Sequence, residues 1–138
     1  MDEAFVVDTS VVMAWCFQDE ANPYADSVLE RLRDRRAYVP SVWPLGVLNV
    51  LLAAERRNRI GQEDSMRFVA LLCRLPISVE QEHSEAMMQV LLVLARAYGL
   101  TSYDASYLEL AVRKGLPLAT ADNRLLEAAR KAGVGVVV

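Results

Sequence analysis

Three aspartates carry the chemistry that this sequence could do. Asp8 closes the β-branched run Phe5-Val6-Val7 and is followed by Thr9-Ser10. Asp104 falls in the first turn of a helical stretch, in Thr101-Ser102-Tyr103-Asp104. Asp122 stands two residues past the run Leu118-Ala119-Thr120. Singly, each fits helix capping: Asp8 and Asp122 as N-caps, Thr101 with Asp104 as a capping box, all helped by the helix dipole. Together they fit a cation site. Two carboxylates 4 Å apart repel by ~4 kcal/mol at an effective dielectric near 20. No basic residue adjoins them in sequence, so a hard divalent ion, Mg2+ or Mn2+, is the natural neutraliser. Ser10 and Thr120 could orient the carboxylates or the water around such an ion.

These acids meet only if the chain folds so as to bring them together. Five short apolar runs read as strands: Phe5–Val7, Ala37–Val39, Ile77–Val79, Leu118–Thr120 and Val134–Val138. Between them lie stretches of helical period, expected over Val11–Phe17, Tyr24–Arg35, Pro44–Arg59, Glu63–Arg74, Gln81–Tyr98, Tyr103–Lys114 and Arg124–Ala132. Several end at a glycine, as at Gly99, Gly115 and Gly133. Strands that are apolar throughout are those buried on both faces of a parallel sheet. Their alternation with helices predicts a three-layer α/β fold with a mostly parallel sheet of four or five strands, in one domain over residues 1–138. In such a sheet the carboxyl ends of strands share an edge with helix amino ends, and ligands bind there. All three aspartates are expected at that edge.

Composition narrows the classes further. Of 138 residues, 54% are hydrophobic and 24% charged, which excludes a disordered chain. The net charge of −3 argues against binding nucleic acid by bulk charge, though not against a local basic patch. Cys16 and Cys73 lie too far apart for a zinc motif, and make no disulfide framework. The lone His83 rules out a multi-histidine metal site and reads as an exposed helix residue. The acidic opening Asp2-Glu3 is unlike a signal peptide, and the longest apolar run, Val90 to Ala95, is too short to span a bilayer. A cytoplasmic protein with no membrane association is expected.

Four blocks resemble the ordered motifs of PIN-domain proteins, and among these the VapC-type toxins of prokaryotic toxin-antitoxin pairs. They are Val6-Val7-Asp8-Thr9-Ser10-Val11, Pro44 to Leu51, Leu100 to Ala111, and Leu116 to Asp122. The resemblance implies a metal-dependent endoribonuclease that hydrolyses RNA phosphodiesters. It makes Asp8 and Asp104 direct metal ligands, completes the cluster with Asp122, and gives Ser10, Asn49 and Thr120 supporting roles. It also implies a small VapB-like antitoxin that occludes the site, and a homodimer. A bound ion would make hydroxide available near neutral pH and stabilise charge on the phosphate.

The chain departs from that pattern once. The family's usual glutamate in the second block is replaced by Gly46. With Pro44 as the first helical residue, Gly46 would be third, where an acid suits the dipole and glycine costs up to ~1 kcal/mol. Three explanations stay open: alteration during cloning of a toxic product, natural loss of activity, or sufficiency of three aspartates with weaker metal affinity. The expectation is impaired catalysis with the fold and antitoxin binding kept. The competing reading is a catalytically degenerate module that binds antitoxin or RNA without cleaving it. A phosphotransfer domain of the haloacid-dehalogenase or receiver kind ranks lower, because the second aspartate it needs is Ser10 here.

Charged and aromatic residues bear on the surroundings of the acids. Arg31, Arg33, Arg35 and Arg36 form one basic run, and Arg56, Arg57 and Arg59 another; each could hold phosphates or simply solvate a helix end. Trp15, Trp43 and Tyr107 could stack on bases, but fit core packing better. The apolar Val11–Phe17 and Tyr24–Leu32 stretches could form a groove for an antitoxin helix, or an ordinary core.

Overall fold

The computed structural model describes residues 4–81 and 84–138; His83 lies outside them. The elements run β1 (Phe5–Val7), α1 (Thr9–Cys16), a 3-10 turn (Gln18–Glu20), α2 (Pro23–Arg31), β2 (Ala37–Val39), α3 (Trp43–Arg56), α4 (Gln62–Arg74), β3 (Ile77–Val79), α5 (Glu85–Tyr98), α6 (Ser102–Lys114), β4 (Leu118–Ala119) and α7 (Asn123–Lys131). The four strands form one sheet in the order β3-β2-β1-β4, with every pair parallel. Helices flank it: α6 packs on β1, α5 and α7, and α1 packs on α2 and α3. This is the three-layer α/β fold expected from the alternation.

β1 lies inside the sheet. Phe5, Val6 and Val7 are buried, which accounts for their apolar character on both faces. Burying each such side chain stabilises by roughly 1.5–3 kcal/mol. Ala105, Leu108 and Leu110 of α6 and Leu118 and Leu125 belong to the same core. β1 runs between strands reached in opposite directions along the sheet: β2 then β3 on one side, β4 on the other. The order therefore reverses between β1 and β4, and a crevice opens at their carboxyl ends.

Local signals set most boundaries to within one or two residues, and α1 starts at Thr9 rather than Val11; the larger differences follow. The expected fifth strand, Val134–Val138, reduces to one parallel bridge, Leu118 to Val136. β4 is only two residues long because the chain turns at Ala121 to cap α7, so a neighbour finds little to pair with. α3 starts at Trp43 and ends at Arg56, which makes Gly46 its fourth residue rather than its third. It stops before Gly61 because Asn58 takes a left-handed φ of 60°, and Gly61 instead caps α4. α2 ends at Arg31 rather than Arg35. α5 begins at Glu85 rather than Gln81, with the Ser84 hydroxyl accepting from the Met87 amide. Among the described residues no helix is long and apolar enough to cross a membrane.

Candidate active site

The carboxyl edge of the sheet holds a cavity of about 220 Å³, lined by Asp8, Thr9, Ser10, Val42, Gly46, Tyr103, Asp104, Tyr107 and Asp122. All three aspartates line it, from β1's end, α6's first turn and α7's cap. Capping and cavity lining turn out to be compatible. Asp8 Oδ1 accepts from the Val11 amide at 3.2 Å and from Ser10 Oγ at 2.6 Å. Its Oδ2 accepts from Thr120 Oγ1. Asp122 Oδ1 accepts from the Arg124 amide at 2.8 Å and from the Leu125 amide at 3.4 Å. Thr101 caps α6 by accepting from the Asp104 amide at 3.1 Å.

Ser10 and Thr120 tie the two strand ends together. Ser10 Oγ accepts from the Ala121 amide at 3.0 Å while donating to Asp8. Thr120 Oγ1 accepts from the Asp122 amide at 3.0 Å while donating to Asp8. Each hydroxyl thus holds the Asp8 carboxylate and the loop that carries Asp122. Asn49 is different: it is exposed on α3 and is not among the cavity's lining residues.

Burial raises the Asp8 carboxyl above its ordinary value; Ser10, Thr120 and the Val11 amide pull it down, and the Asp104 charge pushes it up. Asp8 is only 4% exposed. Burial likewise raises Asp104, with the Asp122 charge adding to the effect, while the Thr101 hydroxyl and the Arg124 guanidinium oppose it. Arg124 is a cation that the sequence reading passed over, although it lies two residues from Asp122. Tyr107, named above as a residue for stacking or packing, forms part of the cavity wall. It is buried, and its hydroxyl pairs with Thr9 Oγ1 at 2.8 Å across the cavity wall. Burial first, then the Asp8 and Asp104 charges, holds the phenol protonated.

Whether these residues suit a hard cation follows from the donors present. The cavity has three carboxylates and no lysine or arginine in its wall. Among the described residues, however, no three His, Cys, Asp or Glu side chains form a group that could hold a metal ion. The arrangement is a carboxylate-lined cavity and not a closed cage. Magnesium suits this, since it keeps several waters and needs only one or two carboxylates with substrate phosphate. The donor chemistry fits a hydrated divalent ion.

Other expectations about the surroundings change. Arg33, Arg35 and Arg36 line a separate hollow with Ala4 and Pro76. Those two residues precede β1 and β3, so this hollow is at the sheet's amino edge, opposite the acids. Arg59 is occupied by Asp19 and Glu20, at 2.9 and 3.1 Å, and lies over the Phe17 ring. Trp43 and Tyr107 are buried, and Trp15 Nε1 donates to the Ala25 carbonyl at 2.8 Å, so all three pack rather than present a free ring face. Val11, Val12, Ala25 and Val28 are buried where α1 packs on α2, so the facing stripes of these helices form core, while the end of the first stretch, Trp15 to Phe17, lines a hollow of about 660 Å³ with Asp64, Phe68 and Leu71 of α4. Exposed apolar side chains include Leu45, Leu48 and Leu52 on α3, Met66 and Leu71 on α4, and Met88, Leu92 and Val93 on α5.

Comparison with known proteins agrees with this architecture. The family model of the PIN domain matches residues 5–131. No curated protein matches the chain significantly by sequence. PAE2754 from Pyrobaculum aerophilum superposes with a TM-score of 0.70 at 23% identity, over 93% of this chain and 87% of that one. A toxin-antitoxin complex from Klebsiella pneumoniae and FitAcB from Neisseria gonorrhoeae each superpose with a TM-score of 0.64 at 18% identity, over 97% of this chain and 96% of theirs.

Proposed function

The chain belongs to the PIN domain family, and from that premise we propose that it is a magnesium- or manganese-dependent endoribonuclease of the VapC toxin type. The observation that carries the proposal is the convergence of Asp8, Asp104 and Asp122 on one cavity at the reversal point of the sheet. A divalent ion bound there supplies water activation and charge neutralisation at a phosphodiester. Asp104, half-buried on α6, and Asp8, held by two hydroxyls and an amide, are the residues to hold it. Asp122 lines the same cavity and would complete the surroundings of such an ion, directly or through water. Ser10 and Thr120 keep Asp8 and the Asp122 loop in register. The Tyr107 hydroxyl, anchored by Thr9, lines the same cavity and can donate a hydrogen bond to a phosphate oxygen.

The partner side of the proposal rests on the superposition with the Klebsiella toxin-antitoxin complex. An antitoxin would find Leu45, Leu48 and Leu52 exposed along one stretch of α3, the helix that brings Gly46 to the cavity wall. The exposed side chains of α5 would suit a homodimer. Two free cysteines, Cys16 and Cys73, are in keeping with a cytoplasmic site of action.

One observation favours the second reading, a degenerate module that binds antitoxin or RNA without cleaving: Gly46 contributes no carboxylate to the cavity wall. Incubation of the purified protein with single-stranded RNA decides between them. Cleavage that needs magnesium or manganese and is lost in Asp104→Asn supports the nuclease. RNA or antitoxin binding with no ion-dependent cleavage, even at high enzyme concentration, supports the binding module.

A further inference from the structure

A second hollow, of about 200 Å³, adjoins the acidic cavity. Val42 and Tyr103 line both, so they form the ridge between them. Tyr103 immediately precedes Asp104 in α6. Successive helix residues point about 100° apart, so Asp104 reaches the cavity while Tyr103 stands at its rim. The Tyr103 side chain is 64% exposed. An aromatic ring left in solvent beside a candidate phosphodiester site gains nothing from the core.

The second hollow has two kinds of wall. Pro40, Met87 and Leu91 make it apolar on one side. Its polar side carries Glu109, which is 8% exposed and accepts from Arg113 Nε at 2.8 Å, with Ser106 beside it. Glu80 also lines it and accepts from Arg113 at 3.5 Å. Arg113, the cation in this wall, is already paired with Glu109 and Glu80, and Glu80 also pairs with Lys114 at 3.6 Å, which disfavours a phosphate here. A flat group with an apolar face and a hydrogen-bonding edge suits the hollow, and in RNA that group is a base.

We infer that this hollow is a nucleobase subsite, in which the base beside the phosphate in the acidic cavity stacks on Tyr103 and turns its edge toward Glu109 and Ser106. The inference rests on the nuclease reading, since that reading puts the phosphate next door. The base must be unpaired to reach the ring, so the substrate is single-stranded at this point. Tyr103 acts here as a positioning residue for substrate and takes no part in the reacting bonds.

Short single-stranded RNAs carrying one 2-aminopurine test this directly. Binding and fluorescence are followed with calcium in place of magnesium, and cleavage is followed separately on gels in magnesium. Stacking predicts quenching at one position of the RNA by the unaltered protein and by Tyr103→Phe. Tyr103→Ala should lose the quenching and bind about tenfold more weakly, and in magnesium should raise KM while kcat holds. Equal quenching and affinity in Tyr103→Ala, with cleavage still present, overturns the subsite and leaves the nuclease reading intact. No RNA binding by the unaltered protein with either ion overturns both.

Discussion

Adding a carboxylate at position 46 probes the electrostatics of the cavity directly. Gly46 is the fourth residue of α3 and lines the cavity with the three aspartates. A Cβ built on it meets only Thr9 Oγ1, at 3.7 Å, which is ordinary contact, so Gly46→Glu enters without steric cost at its root. Helix propensity favours the change by about 0.5 kcal/mol. Against this, a fourth carboxylate in the same cavity costs about 3 kcal/mol, the repulsion of two unit charges at a separation on the order of 6 Å and an effective dielectric near 20. The net is a loss of about 2 kcal/mol in chelator and low salt, which lowers Tm by about 8 °C for a chain of this size. An ion at about a hundred times its Kd returns about 2.7 kcal/mol, so magnesium should restore or exceed the original Tm. Cleavage of RNA in magnesium should rise by about 10- to 100-fold, the range seen when a supporting group at a metal site is gained or lost. Gly46→Ala is the control: it should raise Tm in chelator through propensity alone and show no added response to the ion. The assays are thermal unfolding by circular dichroism, with and without magnesium, and a fluorescent RNA cleavage assay. A Gly46→Glu protein as stable in chelator as Gly46→Ala, with unchanged cleavage, would refute the reasoning, because position 46 would then not face the acids.

Further expectations concern the same edge of the sheet. Because burial raises the Asp8 and Asp104 carboxyls, the folded state binds more protons than the unfolded one, and stability in chelator should fall as pH rises from the ordinary aspartate value of 3.8 toward the raised folded values. Asp8→Asn should flatten that slope in denaturant titrations between pH 4 and 7; an unchanged slope would contradict it. Tyr107→Phe removes the 2.8 Å bond to Thr9 and should cost about 1 kcal/mol in urea unfolding. Replacing Arg33 and Arg36 by serine alters the amino edge of the sheet, far from the acids, and should change kcat/KM for RNA less than twofold; a loss of tenfold would place substrate on that face after all.

Several parts of the site were legible because they are local. The run Phe5-Val6-Val7 reads as a strand buried on both faces, and Asp8 reads as its end and as a cap, since both properties depend on near neighbours in sequence. The shared edge followed from one topological rule, that parallel strands end together beside helix amino termini. The walls between the acids were not legible in the same way. Thr9 and Tyr107 are 98 residues apart and meet only because α6 packs on β1. Arg124 acts on Asp104 across the crevice, from α7 to α6.

The sequence alone determined the periods, the caps and the positions of charge along the chain, since each arises from interactions within a turn or a strand. Tertiary structure alone decided which face each helix turns to its neighbours. It sent Arg33 and Arg36 to the edge opposite the acids, cut the last strand to one bridge, and left Tyr103 standing between two hollows. The physical reason is that a helix's rotation and a strand's neighbours are set by the joint packing of several elements, and no single segment carries that information.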